Sequence, residues 1–462
     1  MSGQPTLPAT APQMTALAEW AADHRAMVIP PAVYRQAAIV LCDDLAAIVA
    51  ARKDPILVKM CDQMLGDGGK PVATVFRGGR PRTDRYNAAV ANGAAGPWSE
   101  LDEGSLRVSC HAGIYALPAL LAEAEAEGLS CRETLRCLVV AYEVVTRLAL
   151  AFSQPTLVLH PHASLSAVGA AAAVAAARRY DGGRFLDTLT LAATLVSPGP
   201  FDHAVRGSFA RNMWTAAGSW AGLKAADWAL CGISGLPESP RNVFHEVLGC
   251  ECRPERLVDD LGEDWLIEHN FQKIYPCCQY SHSTVEAITG LIADLPRDVE
   301  LKNCQEVIVE IHEKGQLLDE RHPTTTLGAR FSIPHIAAVA AIRGRVDLDT
   351  LSSDSLVDPE VAELRQRVTI RAYRPQLPPP NDRPARVGFV FSDGRKFEAE
   401  CLCAQGSPST PLGLETISRK VEGICRDVYP GMSEVMDELV GLDDGTLDSP
   451  WENVVSRITG ES

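Results

Sequence analysis

The stretch "HASLSAVGAAAAVAAARRY", residues 162–180, carries almost no side-chain bulk along its length. Alanine is the strongest helix former, and small side chains let neighbouring helices approach closely. The stretch therefore predicts a tightly packed, buried helix, and its surroundings agree. "PPAVYRQAAIVLCDDLAAIVAAR" (30–52) opens on prolines suited to a helix start. "HAGIYALPALLAEAEAEG" (111–128) ends on Gly128, a plausible C-cap. "SCRETLRCLVVAYEVVTRLALAF" (130–152) has Glu133 three residues after Ser130, the spacing of a capping box. From about Met14 to Leu236 the chain reads as helical.

The pattern changes after about Asn270. "EVIVEIH" (306–312) and "RVTIRAY" (367–373) are rich in β-branched residues, and "ARVGFVFSDGRKFEAECLC" (385–403) reads as two strands about a turn at Asp393-Gly394. Between them "PHIAAVAAIRG" and "DPEVAELRQRV" read as helices, and "RPQLPPPNDRP" (374–384) as a surface loop or connector. The tail beyond 404 returns to helix and is expected to pack back on the first part. The expectation is a mainly α chain with an α+β second domain. Residues 1–270 and 404–462 form the helical domain, and 271–403 the smaller one.

Of the 462 residues 46% are hydrophobic and 22% charged, which is globular, and the length favours two domains over one core. A formal net charge of -16 argues against a nucleic-acid or acidic-membrane surface, which needs a basic face. The N-terminus lacks a basic, then apolar, leader, and no stretch is long and apolar enough to span a bilayer, so a cytoplasmic protein is expected. The 14 cysteines include no C-x-x-C pair, so they read as free, partly buried thiols and not as zinc ligands. Glycine-rich phosphate loops, H-E-x-x-H and G-x-S-x-G are all absent.

Three stretches concentrate polar groups in apolar or small-residue surroundings. In "WSELDEGSLRVSCHAG" (98–113), Glu100, Asp102 and Glu103 precede His111, which sits where a helix begins. The helix dipole favours a neutral imidazole there, which suits general acid/base chemistry; from these residues alone a solvated acidic loop with a capping histidine is the stronger reading. "LHPHAS" (159–164) puts His160 and His162 at the start of the small-residue helix, as an anion site or as simple capping. "KIYPCCQYSH" (273–282) holds Lys273 near the change of pattern, where pockets tend to form, and sets Cys277 and Cys278 near His282.

At these stretches the chain resembles the MmgE/PrpD family of 2-methylcitrate dehydratase-like proteins. "KIYPCCQYSHSTVEAI" is similar to its Lys-x-Tyr-Pro-x-Cys block, and "GARFSIPHIAAVA" to its Arg/Lys-Phe-Ser block. "LHPHASLSAVGAAAAVAAARR" resembles its His-Pro-Thr segment. "AVANGAAGPWSELDEG" with "CHAGIYALPALLA" resembles its Asn-Gly, acidic and His-Pro-Gly run, and "GSPSTPLGLETISRK" its C-terminal segment. The resemblance implies a helical domain built from both chain ends, an α+β lid and a homodimer. It also implies metal-free, cofactor-free chemistry on a small anionic carboxylate: dehydration, cis-aconitate-type decarboxylation or iminodisuccinate-type epimerisation.

Carried over by position, the resemblance makes His111 the acid/base, with Glu100 and His160 as further catalytic residues and Lys273 as a carboxylate clamp. Tyr275 and Ser105 join the substrate contacts, and Cys277 and Cys278 become packing residues. There are departures. The family's Lys-x-x-His pattern falls in "FDHAVRGSFARNMW", where His203 or Arg206 would have to restore the charge, and His335 stands at a lid position often held by tyrosine. The threonine of His-Pro-Thr is His162 here. The leading expectation is a hydro-lyase of a hydroxy-polycarboxylate. Decarboxylase, epimerase and a non-catalytic metabolite binder are the alternatives.

Overall fold

The computed structural model describes residues 9–154 and 156–460; the start of the N-terminal stretch read above, residues 1–8, lies outside them. The chain is mainly helical with a small sheet toward its C-terminal side. The small-residue segment is the Pro161–Ala177 helix, and every residue of it is buried. It packs against the helices Ala112–Glu127, Cys131–Ala151 and Met213–Leu230. The helix signals act as expected at the ends. Gly128 closes Ala112–Glu127 in the left-handed region, and Ser130 and Glu133 form a complete capping box.

The Met213–Leu230 helix approaches Pro161–Ala177 so closely that two of its glycines have no room for a side chain. A Cβ on Gly218 would lie 2.3 Å from that of Ser166, and one on Gly222 2.5 Å from that of Ala170. Small residues on both faces let the backbones come together, and dispersion contacts at this density hold them there.

Two hydrophobic cores result. One gathers side chains from Met14 to Ile267 and takes in Ile417 to Ile458 from the chain's end. Trp451, fully buried, lies in that return, and its backbone N–H donates to the Leu129 carbonyl at 2.7 Å. The other core runs from Cys277 to Phe391 and includes Phe201, Ala204 and Val205. Those three lie in a segment expected to belong to the helical part. Ala204 and Val205 sit on a short Asp202–Val205 helix, with Phe201 at its N-cap, and all three join the second core. The second core's sheet has the order Val368–Ala372, Cys304–Ile311, Ala385–Phe391, Lys396–Cys401, with the first pair parallel and the others antiparallel. No helix among the described residues is long and apolar enough to cross a membrane.

One small pairing positions the site. Gly104–Ser105 forms an antiparallel bridge with Asn270–Phe271, tying the acidic loop to the segment that leads into Lys273. A Cβ on Gly104 would fall 2.7 Å from the Phe271 ring, so the pairing needs glycine there.

In an open helix Gly→Ala stabilises by about 1 kcal/mol. At Gly222 the sign should reverse: Gly222→Ala is expected to lower stability by about 1–3 kcal/mol through overpacking, read from the urea midpoint.

Candidate functional site

Past the Arg85–Ala95 helix the chain turns through Pro97 and Trp98 into the acidic run. Trp98 stacks on Phe209 with centroids 4.8 Å apart, and the Pro97 carbonyl accepts from Arg211 Nη1 at 3.0 Å. The run is thus fixed before it reaches Glu100, which holds a left-handed backbone with φ of 55°. That conformation is unfavourable for a side chain with a Cβ and persists only where its surroundings enforce it.

Here two buried cations enforce it. Glu100 Oε1 lies 2.6 Å from Arg211 Nη2, and its Oε2 3.3 Å from Lys273 Nζ. Asp102 Oδ1 lies 3.4 Å from the same Nζ. Its Oδ2 is 2.9 Å from His111 Nδ1. Glu103 faces the other way, as alternate residues of an extended segment do. Its carboxyl accepts from Gly113 N–H and from the Tyr142 hydroxyl, each at 2.8 Å.

His111 is the N-cap residue of Ala112–Glu127. Its Nδ1 donates to the Glu103 carbonyl at 2.6 Å, beside the Asp102 oxygen. Both neighbours are acceptors, so Nδ1 carries the hydrogen and Nε2 is the nitrogen left to exchange a proton. His160 caps the small-residue helix, and Arg211 Nε donates to its Nε2 at 3.2 Å, which occupies that lone pair. His162 Nδ1 bonds the Tyr115 hydroxyl at 2.9 Å, and its ring meets that of His111 edge-on at 4.8 Å.

Charge and burial divide these groups. Burial alone would raise the Asp102 carboxyl, but Lys273, His111 and Arg211 outweigh it and hold the group well below the usual carboxylate range. Burial would likewise discharge Lys273, yet Asp102 and Glu100 keep its ammonium charged. Burial pushes Glu103 up to about 8, so it is largely protonated at neutral pH. Burial, then Arg211, holds His160 and His162 well below the usual histidine range, so both are neutral.

Glu100, Ser105, His111, His160 and Lys273 line one cleft of about 40 Å3, together with Arg211, Phe331 and Arg383. The other expected contacts do not meet there. Arg206 is a correction: its side chain is 73% exposed and pairs with Asp202 at 3.5 Å, because the turn at Gly207 sends it to solvent. His203 lies against the outer face of Trp214, one ring removed from His160. Tyr275 points at His282 and not into the cleft. His335 is buried in the second core, bonded to Ser355 at 3.0 Å and Arg365 at 3.1 Å. Burial pushes the Cys277 and Cys278 thiols up to about 12, so neither is a thiolate nucleophile.

Sequence reasoning missed Arg211 and Arg383. Arg211 differs from Arg206 in nothing but the turn between them. Arg383 lies in the proline-rich segment read as a surface connector, yet it is buried. Its carbonyl accepts from Ser283 at 2.6 Å, its Nη1 donates to Gln279, and its nearest carboxylate, Asp382, is 3.9 Å away. Among the described residues no three His, Cys, Asp or Glu side chains are grouped to hold a metal ion.

A helical core joined to an α+β core, with buried cations and a tethered imidazole on one cleft, is the arrangement the comparisons must account for. Residues 15–246 match the MmgE/PrpD N-terminal domain and 275–442 the MmgE/PrpD C-terminal domain; the chain belongs to the MmgE/PrpD family. It is 24% identical over 413 residues to the cis-aconitate decarboxylase-like protein oryM of Aspergillus oryzae, covering 83% of this chain and 84% of that one. It is 28% identical over 213 residues to the cis-aconitate decarboxylase of Aspergillus terreus, 43% of each chain. The Mus musculus cis-aconitate decarboxylase is 23% identical over 244 residues, 48% of each.

The raised Glu103 carboxyl sets a pH dependence. The native state keeps a proton that the unfolded chain releases near pH 4.5, so this contribution is whole below pH 4.5 and fades as pH rises through about 8. Glu103→Gln should release about one proton fewer on unfolding across that window, measured as a shallower fall of stability with pH.

Proposed function

We propose that the cleft is the active site of a lyase that decarboxylates a small unsaturated polycarboxylate. The observation that carries the reading is His111, its Nδ1–H fixed by the Glu103 carbonyl and Asp102 and its Nε2 left for the substrate, on the same cleft as Lys273 and Arg211. Breaking the bond between carbon and the departing carboxylate leaves an electron pair on carbon. A neighbouring carboxylate delocalises it as an enolate, and buried cations stabilise that charge. The His111 imidazolium then delivers its Nε2 proton to the carbon, and CO2 leaves.

The names of the relatives favour decarboxylation, and so does the proton inventory. Dehydration needs a base at carbon and an acid at the departing hydroxyl, whereas His160 and His162 are held neutral and His160 Nε2 is taken by Arg211. The hydro-lyase expected from the sequence is therefore the second reading, since one imidazole can serve both steps when they fall on the same face.

Carboxylate binding divides among the cations. Glu100 and Asp102 already answer Arg211 and Lys273. Arg383 has only the distant Asp382, and its Nε has no hydrogen-bond partner, so it takes the substrate carboxylate that brings uncompensated charge.

Proton NMR in D2O with citrate-, aconitate-, tartrate- and amino-dicarboxylate compounds tests the reaction. Loss of CO2 with deuterium at the new C–H bears the proposal out; a hydroxyl lost to a new olefin, or exchange without mass loss, replaces it with dehydration or epimerisation. Silence across the panel would favour a binder without turnover. On the substrate so found, His111→Ala should lower kcat by about 10²–10⁴-fold. Arg383→Gln should mainly raise KM, by roughly tenfold or more, the loss of a charge-assisted bond to substrate.

A further inference from the structure

The cleft does not end at Arg383. Ser109, Leu157 and Pro161 line it and also line a second, outer pocket of about 530 Å3, an order of magnitude larger than the inner cavity of about 40 Å3. A cavity needs roughly 10–15 Å3 to hold one water, so the inner space suits a compact head of a few heavy atoms. Ser109, on the wall between the two spaces, is hydrogen-bonded at 2.9 Å to the Tyr280 hydroxyl of the inner cleft.

The two ends differ in chemistry. The inner end is polar and cationic, with Lys273 and Arg211 beside the His111 imidazole. The outer pocket is largely apolar, floored by Phe152 and Phe244, whose rings stack 5.4 Å apart. At its edge Val158 is 66% and Leu317 48% exposed, one from the helical side and one from the second core. The charged groups at this pocket are Arg107, Lys314 and Glu313; Arg107 is held by Asp264 and His269, and Lys314 faces the Tyr280 ring at 5.7 Å. Exposed large aliphatics around an apolar floor mark a binding surface more than they mark a polar channel. Small polar acids have no use for such a wall.

We infer that the substrate is amphiphilic: a carboxylate head in the inner cleft and an alkyl arm that passes Ser109 and Tyr280 to lie on Phe152, Phe244, Val158 and Leu317. This rests on the carboxylate site proposed above and specifies its substrate class. Each buried methylene tightens binding roughly fourfold, so an arm of several carbons outweighs the head's identity in ranking substrates.

Calorimetric titration with succinate and 2-hexylsuccinate separates the two ideas. The hexyl compound should bind at least tenfold tighter. That gain should vanish in Val158→Glu/Leu317→Glu, two exposed positions, while succinate affinity stays. Equal binding of both acids, or a gain that survives the double substitution, overturns the arm and leaves the carboxylate site standing. Failure of both acids to bind overturns both. Hexanoate binding as tightly as 2-hexylsuccinate also overturns the inference, since it would make the outer pocket independent of the dicarboxylate head.

Discussion

The structure around the cleft depends on one buried ionic arrangement, in which Glu100 and Asp102 hold Arg211 and Lys273 out of contact with water. Taking single charges into such an interior is prohibitive, and removing one partner of a buried pair costs about 3–5 kcal/mol. Each of these four groups is thus tolerable only with the others in place. The arrangement spans the molecule: Arg211 precedes the Met213–Leu230 helix of the first core, whereas Lys273 begins the segment that enters the second. Charge balance therefore fixes how the acidic loop meets both parts.

The same arrangement sets the chemistry. Glu100 and Asp102 balance Arg211 and Lys273, whereas buried Arg383 has only Asp382, 3.9 Å away. Asp102 stays ionised and, with the Glu103 carbonyl, orients His111, while Glu103, one residue further, is buried beside the Asp44 carboxyl and the Tyr142 hydroxyl, with no cation paired to it, and stays protonated. Adjacent carboxyl groups thus take opposite states because alternate side chains of an extended segment face opposite environments. That separation leaves one imidazole with a defined tautomer among histidines that are held neutral.

Most of the fold was legible. The bulk-free 162–180 stretch required a buried helix, the capping signals at Gly128 and Ser130 marked real ends, and the β-branched runs at 306–312 and 367–373 became neighbouring strands. The site was legible in part. Glu100, Ser105, His111, His160 and Lys273 converge because each lies on or beside the acidic loop, a helix start, or the Asn270–Phe271 pairing. Arg206 and Arg211 could not be told apart, since one turn at Gly207 decides which guanidinium faces inward. Arg383 looked exposed because prolines and an Asn-Asp pair surround it. Its burial follows from contacts with Ser283, Gln279 and Leu106, all distant in sequence.

The sequence by itself determined what local forces determine: helix and strand identity, caps, the change of pattern near residue 270, and the residue types of the MmgE/PrpD family. Only the tertiary structure decided which cations are already neutralised and which imidazole keeps a nitrogen for the substrate. It also decided that the cleft shares Ser109, Leu157 and Pro161 with a larger, more apolar pocket. Those properties belong to pairs of groups brought together from distant parts of the chain, and a side chain's charge, tautomer and reach depend on such neighbours.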